Sequence, residues 1–394
     1  MYKKVSVLLD NSSYSLWSLD RCLEMAPFFG STLIGNHAYA TRLHEGRFVQ
    51  MEPGLPAKYQ KKEELQKQRD IHASLIEKGL TIISDSYLDV FQHRCEAKKT
   101  PFERRMVEGK NYSMLVKDIE ESSYDLVAMG AKGLGEVQTT EIGSVCERVA
   151  RRIKADTLIA KNDRPLKNGH LVVGIDGSGQ SYAAMKTAIE LSKKLDCRIT
   201  ALAVFDPDFH YKVFDSIAKV LSEEAGEIFK FKEQEKLHEE IIDSGLEKIY
   251  ADNLERAEKM AKKEGVEVHS KVLSGKPYDQ ILNWLGGKDI SMLLIGKVGV
   301  HTDDGLDIGS NTENLLRNAP CNLLLVSRTE KPEVEEERPE DIEWTPEAVK
   351  MLNRVPGFVR NMVRGHMEAN ARKSGKKVIT EDMMKEARSK MMGM

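Results

Sequence analysis

The 394-residue sequence lacks the features that mark membrane, disulfide-rich and zinc-binding proteins. Its apolar runs are strand-sized, such as VSVLL at 5–9, well short of the ~20 residues of a membrane-spanning helix. The cysteines are odd in number, scattered and without a C-x-x-C pair: Cys22, Cys95, Cys146, Cys197 and Cys321. This pattern argues against a disulfide framework and is typical of a reducing compartment. We therefore expect a cytoplasmic protein that does not act in a membrane.

Charge of one sign and the common catalytic motifs are also missing. The 59 Lys plus Arg nearly balance the 62 Asp plus Glu, for a net charge of −3. This near-balance argues against general binding to nucleic acid. The sequence contains no G-x-S-x-G nucleophile elbow, no Walker A loop and no H-E-x-x-H zinc motif. We therefore expect a binding protein rather than an enzyme.

An internal repeat is the most informative feature that is present. The pattern Gly-x2-Gly-x9-Gly-Ser occurs at 130–144 and again, 166 residues later, at 296–310. The same offset maps Asp10 onto Asp176 and Ser12 onto Ser178. An offset that is constant over about 130 residues indicates two copies of one domain. Together with the length, this predicts two large domains and a smaller third unit.

Each copy alternates strand-like and helix-like segments. In the second copy, the apolar run at 170–176 is followed by a helical pattern, then by strands near 198–206, 266–275, 291–296 and 322–327. The first copy has strands near 4–10, 32–39, 104–108, 126–130 and 156–161, with a long helical insert across roughly 57–98. Alternation of this kind predicts an α/β fold with doubly wound parallel sheets. The charged stretch at 210–263 also has a helical pattern.

The glycine motif follows a buried strand in both copies, which suggests phosphate binding. Glycines allow close backbone approach at the carboxyl edge of a parallel sheet, and the following helix N-terminus favours an anion. Ser144 or Ser310 would add a side-chain hydrogen bond. The alternative is that these glycines only shape the turn between strand and helix.

Both copies resemble nucleotide-binding universal stress protein domains, whose ATP loop has this Gly-x2-Gly-x9-Gly-Ser/Thr form. The resemblance covers about 1–163 and 168–328 and implies an adenine nucleotide alpha hydrolase-like fold that binds ATP or another adenine nucleotide. In the second copy it implies the site residues Asp176, Val204, Gly296, Gly299, Gly309, Ser310, Asn311 and Thr312. In the first copy it implies Asp10, Gly130, Gly133, Gly143 and Ser144, with His37 or Ala38 at the position of Val204.

The two copies depart from this pattern in different ways. The first has Asn11 in place of Gly177 and Cys146 in place of Thr312. We therefore expect the second copy to bind nucleotide more tightly. Both nine-residue spacers are acidic, through Glu136 and Glu141 in one copy and Asp303, Asp304 and Asp307 in the other. These carboxylates would hold Mg²⁺, weaken a triphosphate site, favour AMP or simply face solvent, and Lys132 and Lys297 would offset part of their charge.

The last part of the chain has a different character. Residues 330–341 hold seven acidic residues and two prolines, which is typical of an extended linker. Residues 342–392 then read as three short helices, with Trp344, Leu352, Phe358 and Met362 as core or contact residues and further methionines as core filler. This unit resembles the small helical domain of the light-independent protochlorophyllide reductase B subunit. The resemblance implies a module that packs beside a partner protein and implies no reductase activity.

Taken together, these features predict a regulatory nucleotide-binding module of the stress response. A slow ATPase or autophosphorylating enzyme and a nucleotide-free scaffold are the alternatives. We expect the strands at 156–161 and 322–327 to pair within the chain as an intramolecular pseudo-dimer, because each would otherwise be an uncovered apolar edge. The partner of the helical tail is not identified by its sequence.

Overall fold

The computed structural model describes residues 1–137, 140–207, 243–300, 307–332, 343–353 and 376–385, together with residues 364, 367, 368, 370, 371 and 374. Several sequence-based expectations fall outside these residues. They are the helical pattern at 210–242, the acidic residues Asp303 and Asp304, most of the acidic linker, and Phe358 and Met362.

The first repeat forms alternating strands and helices, with helices on both faces of the sheet. Its elements are β1 (Lys4–Leu8), α1 (Ser13–Phe29), β2 (Thr32–Tyr39), α2 (Thr41–Met51), α3 (Lys62–Ala97), β3 (Phe102–Glu108), α4 (Asn111–Ser122), β4 (Leu126–Gly130), α5 (Ser144–Arg152) and β5 (Asp156–Ala160). Two 3-10 turns, Glu52–Gly54 and Ala57–Tyr59, separate α2 from α3. The long helical insert expected across roughly 57–98 is thus confirmed as α3, and the shorter helix α2 precedes it.

The second repeat has the same order. Its described elements are β6 (His170–Gly174), α6 (Gly179–Leu195), β7 (Arg198–Phe205), α7 (Asp243–Lys263), β8 (Val268–Ser274), α8 (Pro277–Leu285), β9 (Met292–Gly296), α9 (Ser310–Asn318) and β10 (Asn322–Val326). Because parallel strands covered on both faces are buried, they consist of continuous apolar runs such as MLLIG in β9.

Ten strands of the described residues form one sheet, in the order β3-β2-β1-β4-β5-β10-β9-β6-β7-β8. Neighbouring strands are parallel within each repeat, and β5 and β10 join the repeats in antiparallel register, with Leu158 opposite Leu324. Side chains of both repeats contribute to each of the two cores that cover the faces of this sheet. The α/β fold and the pairing of the two last strands are therefore as predicted.

Polar contacts across the β5–β10 junction repeat with pseudo-two-fold symmetry. Arg151 forms an ion pair with Glu313 at 2.8 Å, and Arg317, its equivalent in the second repeat, contacts Glu147 at 2.5 Å. The Lys161 ammonium donates to the carbonyl oxygens of Arg317 and Ala319, both at 2.9 Å. These contacts bind the carboxyl ends of α5 and α9 to the opposite repeat.

The chain divides into two compact units, Met1–Pro332 and Glu333–Met394. In the second unit, helix α10 (Pro346–Asn353) accompanies two short parallel strands, β11 (Glu343–Trp344) and β12 (Val378–Ile379). Its small core contains Ala348, Leu352, Met367, Ala371, Ile379 and Met384, and Trp344 packs against it. The predicted core roles of Leu352 and Trp344 are thus confirmed. The strand pair was not predicted, because two-residue strands leave no periodicity to detect.

Within the described residues, no helix combines the length and apolar character needed to cross a membrane.

Candidate functional site

A cavity of about 470 Å³ lies at the carboxyl edge of the sheet in the first repeat. It is bounded by the ends of β1, β2 and β4, by the glycine loop and by the N-terminus of α5. All five site residues predicted in this repeat line it, namely Asp10, Gly130, Gly133, Gly143 and Ser144. Ligands of open parallel sheets bind at this edge.

Asp10 ties the first strand to the glycine loop. One carboxylate oxygen accepts hydrogen bonds from the Ser12 amide at 3.0 Å and the Ser12 hydroxyl at 2.6 Å, and the other accepts from the Leu134 amide at 3.1 Å. The equivalent Asp176 accepts from the amides of Ser178 at 2.9 Å and Val300 at 3.1 Å. Each aspartate therefore holds the loop at its site in place through backbone amides.

The glycines of the first loop are required by close packing. A Cβ atom on Gly133 would lie 2.4 Å from a carboxylate oxygen of Asp10, and one on Gly130 would lie 2.7 Å from the backbone nitrogen of Ser15. The Gly143 amide donates to the Ala131 carbonyl at 2.7 Å, which closes the loop on itself. In the second repeat, the Gly309 amide donates to the Lys297 carbonyl in the same way, at 3.0 Å.

Helix α5 begins in the cavity without a side-chain cap. Its N-cap is Gly143, and its first helical hydrogen bond runs from the Glu147 amide to the Gly143 carbonyl. The N-cap serines of α1 and α6, by contrast, each accept a backbone N–H. Uncapped first-turn amides and the positive end of the helix dipole favour an anion, and the exposed Ser144 hydroxyl lies in the same turn. Helix α9 likewise begins at Gly309 without a side-chain cap.

The charged residues of the first loop neutralise one another. The Lys132 ammonium lies 2.9 Å from the Glu136 carboxylate and lowers the pKa of that group through the hydrogen bond. Tyr14 donates a further hydrogen bond to Glu136 at 3.3 Å. Lys132 thus offsets spacer charge, as predicted.

Lys297, the lysine of the second loop, is placed differently from Lys132. Its side chain is buried, and its ammonium donates to the carbonyl oxygens of Arg151 at 2.9 Å and Ile153 at 2.6 Å, at the end of α5. Burial lowers its pKa to about 8. The charge of Asp307 raises the pKa of Lys297 against the effect of burial, so Lys297 interacts with spacer charge as expected, while its ammonium caps a helix of the opposite repeat. Asp307, in the same spacer, is neutralised by Arg151 at 2.9 Å.

The second repeat brings its described site residues together at the equivalent edge. Val204 is buried one residue before the end of β7, and its counterpart by strand register is Ala38 rather than His37. Ser310 and Asn311 are exposed in the first turn of α9. The buried Thr312 hydroxyl donates to the Gly296 carbonyl at 2.9 Å, so it links helix to strand.

The difference between Asn11 and Gly177 has little structural effect. Both residues have a positive φ, 61° and 87° respectively. Asparagine tolerates this left-handed conformation better than most residues, so the first repeat keeps the same turn. Gly177 and Thr312 are two of the sequence features on which the second repeat is expected to bind nucleotide more tightly. Neither residue makes the surface that would face a ligand different in the two repeats.

Asn36 is a cavity residue that the sequence analysis missed. It is fully buried, and its side-chain amide donates to Asp118 at 2.6 Å. The opposite carboxylate oxygen of Asp118 pairs with Arg105 at 2.6 Å. The signal for this residue was an amide inside the apolar strand TLIGNHAY, where the repeat offset gives Leu202 in the second copy.

In the described part of the chain, no group of three or more His, Cys, Asp or Glu side chains is arranged to hold a metal ion. Among the described spacer carboxylates, Glu136 is paired with Lys132 and Asp307 with Arg151. A cation is thus already supplied by the protein at both positions.

Comparison with known proteins agrees with this geometry. The sequence model of the universal stress protein family matches residues 1–161 and 167–327, and that of the protochlorophyllide reductase 57 kD subunit matches residues 344–388. The universal stress protein MJ0531 of Methanocaldococcus jannaschii is 28% identical over 166 residues, which are 41% of this chain and 83% of that protein.

Solved structures give the same fold across both repeats. A universal stress protein from Archaeoglobus fulgidus covers 82% of this chain and 98% of its own, at 15% identity and a TM-score of 0.53. One from Pseudomonas aeruginosa covers 82% and 93%, at 11% identity and a TM-score of 0.50. Because the family match spans two tandem segments and most of the sequence, the chain belongs to the universal stress protein family.

Proposed function

We propose that the chain is a regulatory module of the stress response that binds ATP or another adenine nucleotide in the cavity of its first repeat. The observation that carries this proposal is a glycine loop that Asp10 holds against the uncapped N-terminus of α5, at one end of a cavity of about 470 Å³. This arrangement offers amide donors and a helix dipole to a phosphate chain.

The two ends of the cavity suit the two ends of a nucleotide. Gly133 and Ser144 would hold the phosphates through backbone amides and one hydroxyl, and Gly130 and Gly143 would shape the loop around them. The far end is formed by Leu8, Ala38, Leu115 and Met129, which give an apolar surface for a base. A cavity that is mostly apolar with a few polar groups is typical of small-molecule sites.

The second repeat would supply an equivalent site through Asp176, Val204, Gly296, Gly299, Gly309, Ser310 and Asn311. Its glycine loop closes through the same Gly309 amide contact, and its helix α9 is likewise uncapped. We assign Thr312 a structural role there. Mg²⁺ is not part of the proposal, because two of the described spacer carboxylates, Glu136 and Asp307, are already paired with protein cations.

The remaining assignments concern organisation and location. We assign the two nucleotide-binding units to residues 1–163 and 168–328, a linker to 330–341 and a helical tail to 342–392 that binds a protein partner. A cytoplasmic location is supported by the five cysteines, which are all free and buried.

Calorimetric titration of the full chain with ATP tests the binding proposal, and phosphate release above a blank tests the ATPase alternative. A Gly143→Val variant should lose the first site, because the valine side chain would enter the gap between the α5 N-terminus and Ala131. Saturable ATP binding with no phosphate release would support a binding module. Release that is lost in the variant would favour the enzyme.

The role of the tail is tested by deleting the residues after Pro332. Because the chain divides into compact units at this point, ATP affinity should stay within about twofold of the full chain. Capture of a partner should be lost. A large loss of ATP affinity in the deletion variant, with partner capture retained, would show that the roles are reversed.

A further inference from the structure

Asn36 presents an unused hydrogen-bond acceptor at the apolar end of the first cavity. The residue lines the cavity and is 0% exposed. Its side-chain carbonyl oxygen, Oδ1, has no hydrogen-bond partner among the described residues. A buried acceptor without a partner lacks the hydrogen bond that water would supply in the unfolded chain, so its presence needs an explanation.

The orientation of this amide is fixed by its neighbour. The amide nitrogen, Nδ2, lies 2.6 Å from a carboxylate oxygen of Asp118, which can only accept a hydrogen bond when ionised. Asp118 also pairs with Arg105 at 2.6 Å and accepts from the Tyr124 hydroxyl at 3.1 Å. A rotated amide would place two oxygens together, so the side chain must present Oδ1 as an acceptor on its other side.

The position of Asn36 Oδ1 in the cavity determines which part of a bound nucleotide it can contact. The helix N-terminus and the glycine loop occupy the phosphate end of the cavity, whereas Asn36 lies on β2 with Ala38, at the end that suits a base. In adenine, the 6-amino group is the only hydrogen-bond donor on the base. We propose that Asn36 is the residue that specifies adenine in the first site, by accepting a hydrogen bond from this 6-amino group. The proposal rests on the nucleotide-binding function proposed above.

The second repeat provides a natural contrast. The residue at the equivalent strand position is Leu202, which is buried and cannot accept a hydrogen bond. A leucine side chain at this position forms no hydrogen bond with the 6-amino group and so adds no affinity for it. The two repeats therefore differ in how strictly they read the base, even where they hold phosphates alike.

The test compares ATP with purine riboside 5′-triphosphate, which lacks only the 6-amino group. Calorimetry uses the full chain carrying Gly309→Val, in which a valine blocks the phosphate end of the second site; the backbone there has φ −72° and accepts a side chain. ATP should bind the first site about tenfold or more tightly than the deaminated analogue, because that analogue leaves Oδ1 unpaired. The same comparison with Asn36→Leu, which copies the residue of the second repeat, should give equal affinities.

The outcomes separate the two proposals. Equal affinities for the two nucleotides without the Asn36 substitution, or discrimination that persists in Asn36→Leu, would overturn the role of Asn36 and leave nucleotide binding standing. Failure to bind either nucleotide would overturn the proposed function and this inference with it. Because the ligand comparison needs no change at Asn36, it remains decisive if Asn36→Leu does not fold.

Discussion

At the scale of single residues, the first site depends on backbone positions that admit no side chain. Gly133 lies directly against the Asp10 carboxylate, and Asp10 in turn holds the Leu134 amide. A methyl group at this point displaces the carboxylate and releases the loop. The geometry of the phosphate end therefore depends on glycine at this position, where an added carbon atom would lie too close to the carboxylate.

We predict that Gly133→Ala lowers ATP affinity at the first site by about tenfold or more and destabilises the chain by about 1–3 kcal/mol, as overpacking does. Gly135→Ala is the matched control, because a Cβ atom at Gly135 in the same loop meets nothing within 4 Å. Calorimetric titration and thermal unfolding of both variants measure the two effects. Similar affinities in the two variants would contradict the packing argument.

His37 supplies a prediction about pH. Its Nδ1 atom lies 2.5 Å from the Leu9 carbonyl oxygen, and burial lowers its pKa below the ordinary value. Because the unfolded-state pKa is about 6.5, the unfolded chain binds more protons at mildly acidic pH, and stability falls as the pH drops below about 7.

His37→Gln should remove part of this loss. Denaturant unfolding at pH 7 and pH 5 should therefore show a smaller drop in the variant than in the original chain, although the other nine histidines contribute equally to both. An equal or larger loss of stability between pH 7 and pH 5 in the variant would contradict the burial of a neutral imidazole at His37.

At the scale of elements, helices α5 and α9 have equivalent roles in the two repeats. Each begins at an uncapped glycine beside a glycine loop and ends in contact with the opposite repeat. A negative side chain in the first helical turn would stabilise such a helix by about 0.3–1 kcal/mol while repelling a bound phosphate.

We accordingly predict opposite effects of Ser144→Glu on stability and binding. The variant should unfold at the same or a slightly higher temperature, and ATP affinity at the first site should fall by about tenfold or more because of charge repulsion. Ser310→Glu makes the same change in the second repeat and shows by calorimetry how much of the total binding belongs to each site. Unchanged ATP affinity in both variants would show that the helix N-termini do not contribute to ATP binding.

The sequence predicted the strands and helices of both repeats because their periodicity and glycine spacing are local signals. It also predicted the β5–β10 pairing, since an apolar edge strand needs a cover. The direction of the Lys297 side chain was not predictable, because it depends on the position of α5 in the opposite repeat. Asn36 was missed for a similar reason: its partner Asp118 lies 82 residues away, on another element.

At the scale of the whole molecule, the two repeats form one continuous sheet whose junction is reinforced by side chains from both repeats. Lys297 belongs to the second loop and caps α5, the helix that begins at the first site. Arg328, just after β10, forms an ion pair with the buried Asp156 of β5 and donates to Tyr2 at 3.0 Å. The repeats should therefore unfold together rather than one after the other.

Lys297→Met tests the contribution of this junction. The variant removes two hydrogen bonds from a buried ammonium to carbonyl oxygens of α5, and we expect a loss of about 1.5–3 kcal/mol in the free energy of unfolding. Lys132→Met changes the lysine of the other glycine motif, whose ion pair with Glu136 lies at the surface, and should have a smaller effect. Chemical denaturation measures both. A larger loss from Lys132→Met would contradict the assignment of Lys297 to the junction.

The central claim is that the cavity of the first repeat binds an adenine nucleotide through its phosphates. Native mass spectrometry of the full chain titrated with ATP tests it most directly, with the original sequence and Gly143→Val measured side by side. The account predicts a saturable ATP adduct on the original chain and one bound nucleotide fewer on the variant. Identical adducts on both, or no adduct at millimolar ATP, would contradict it.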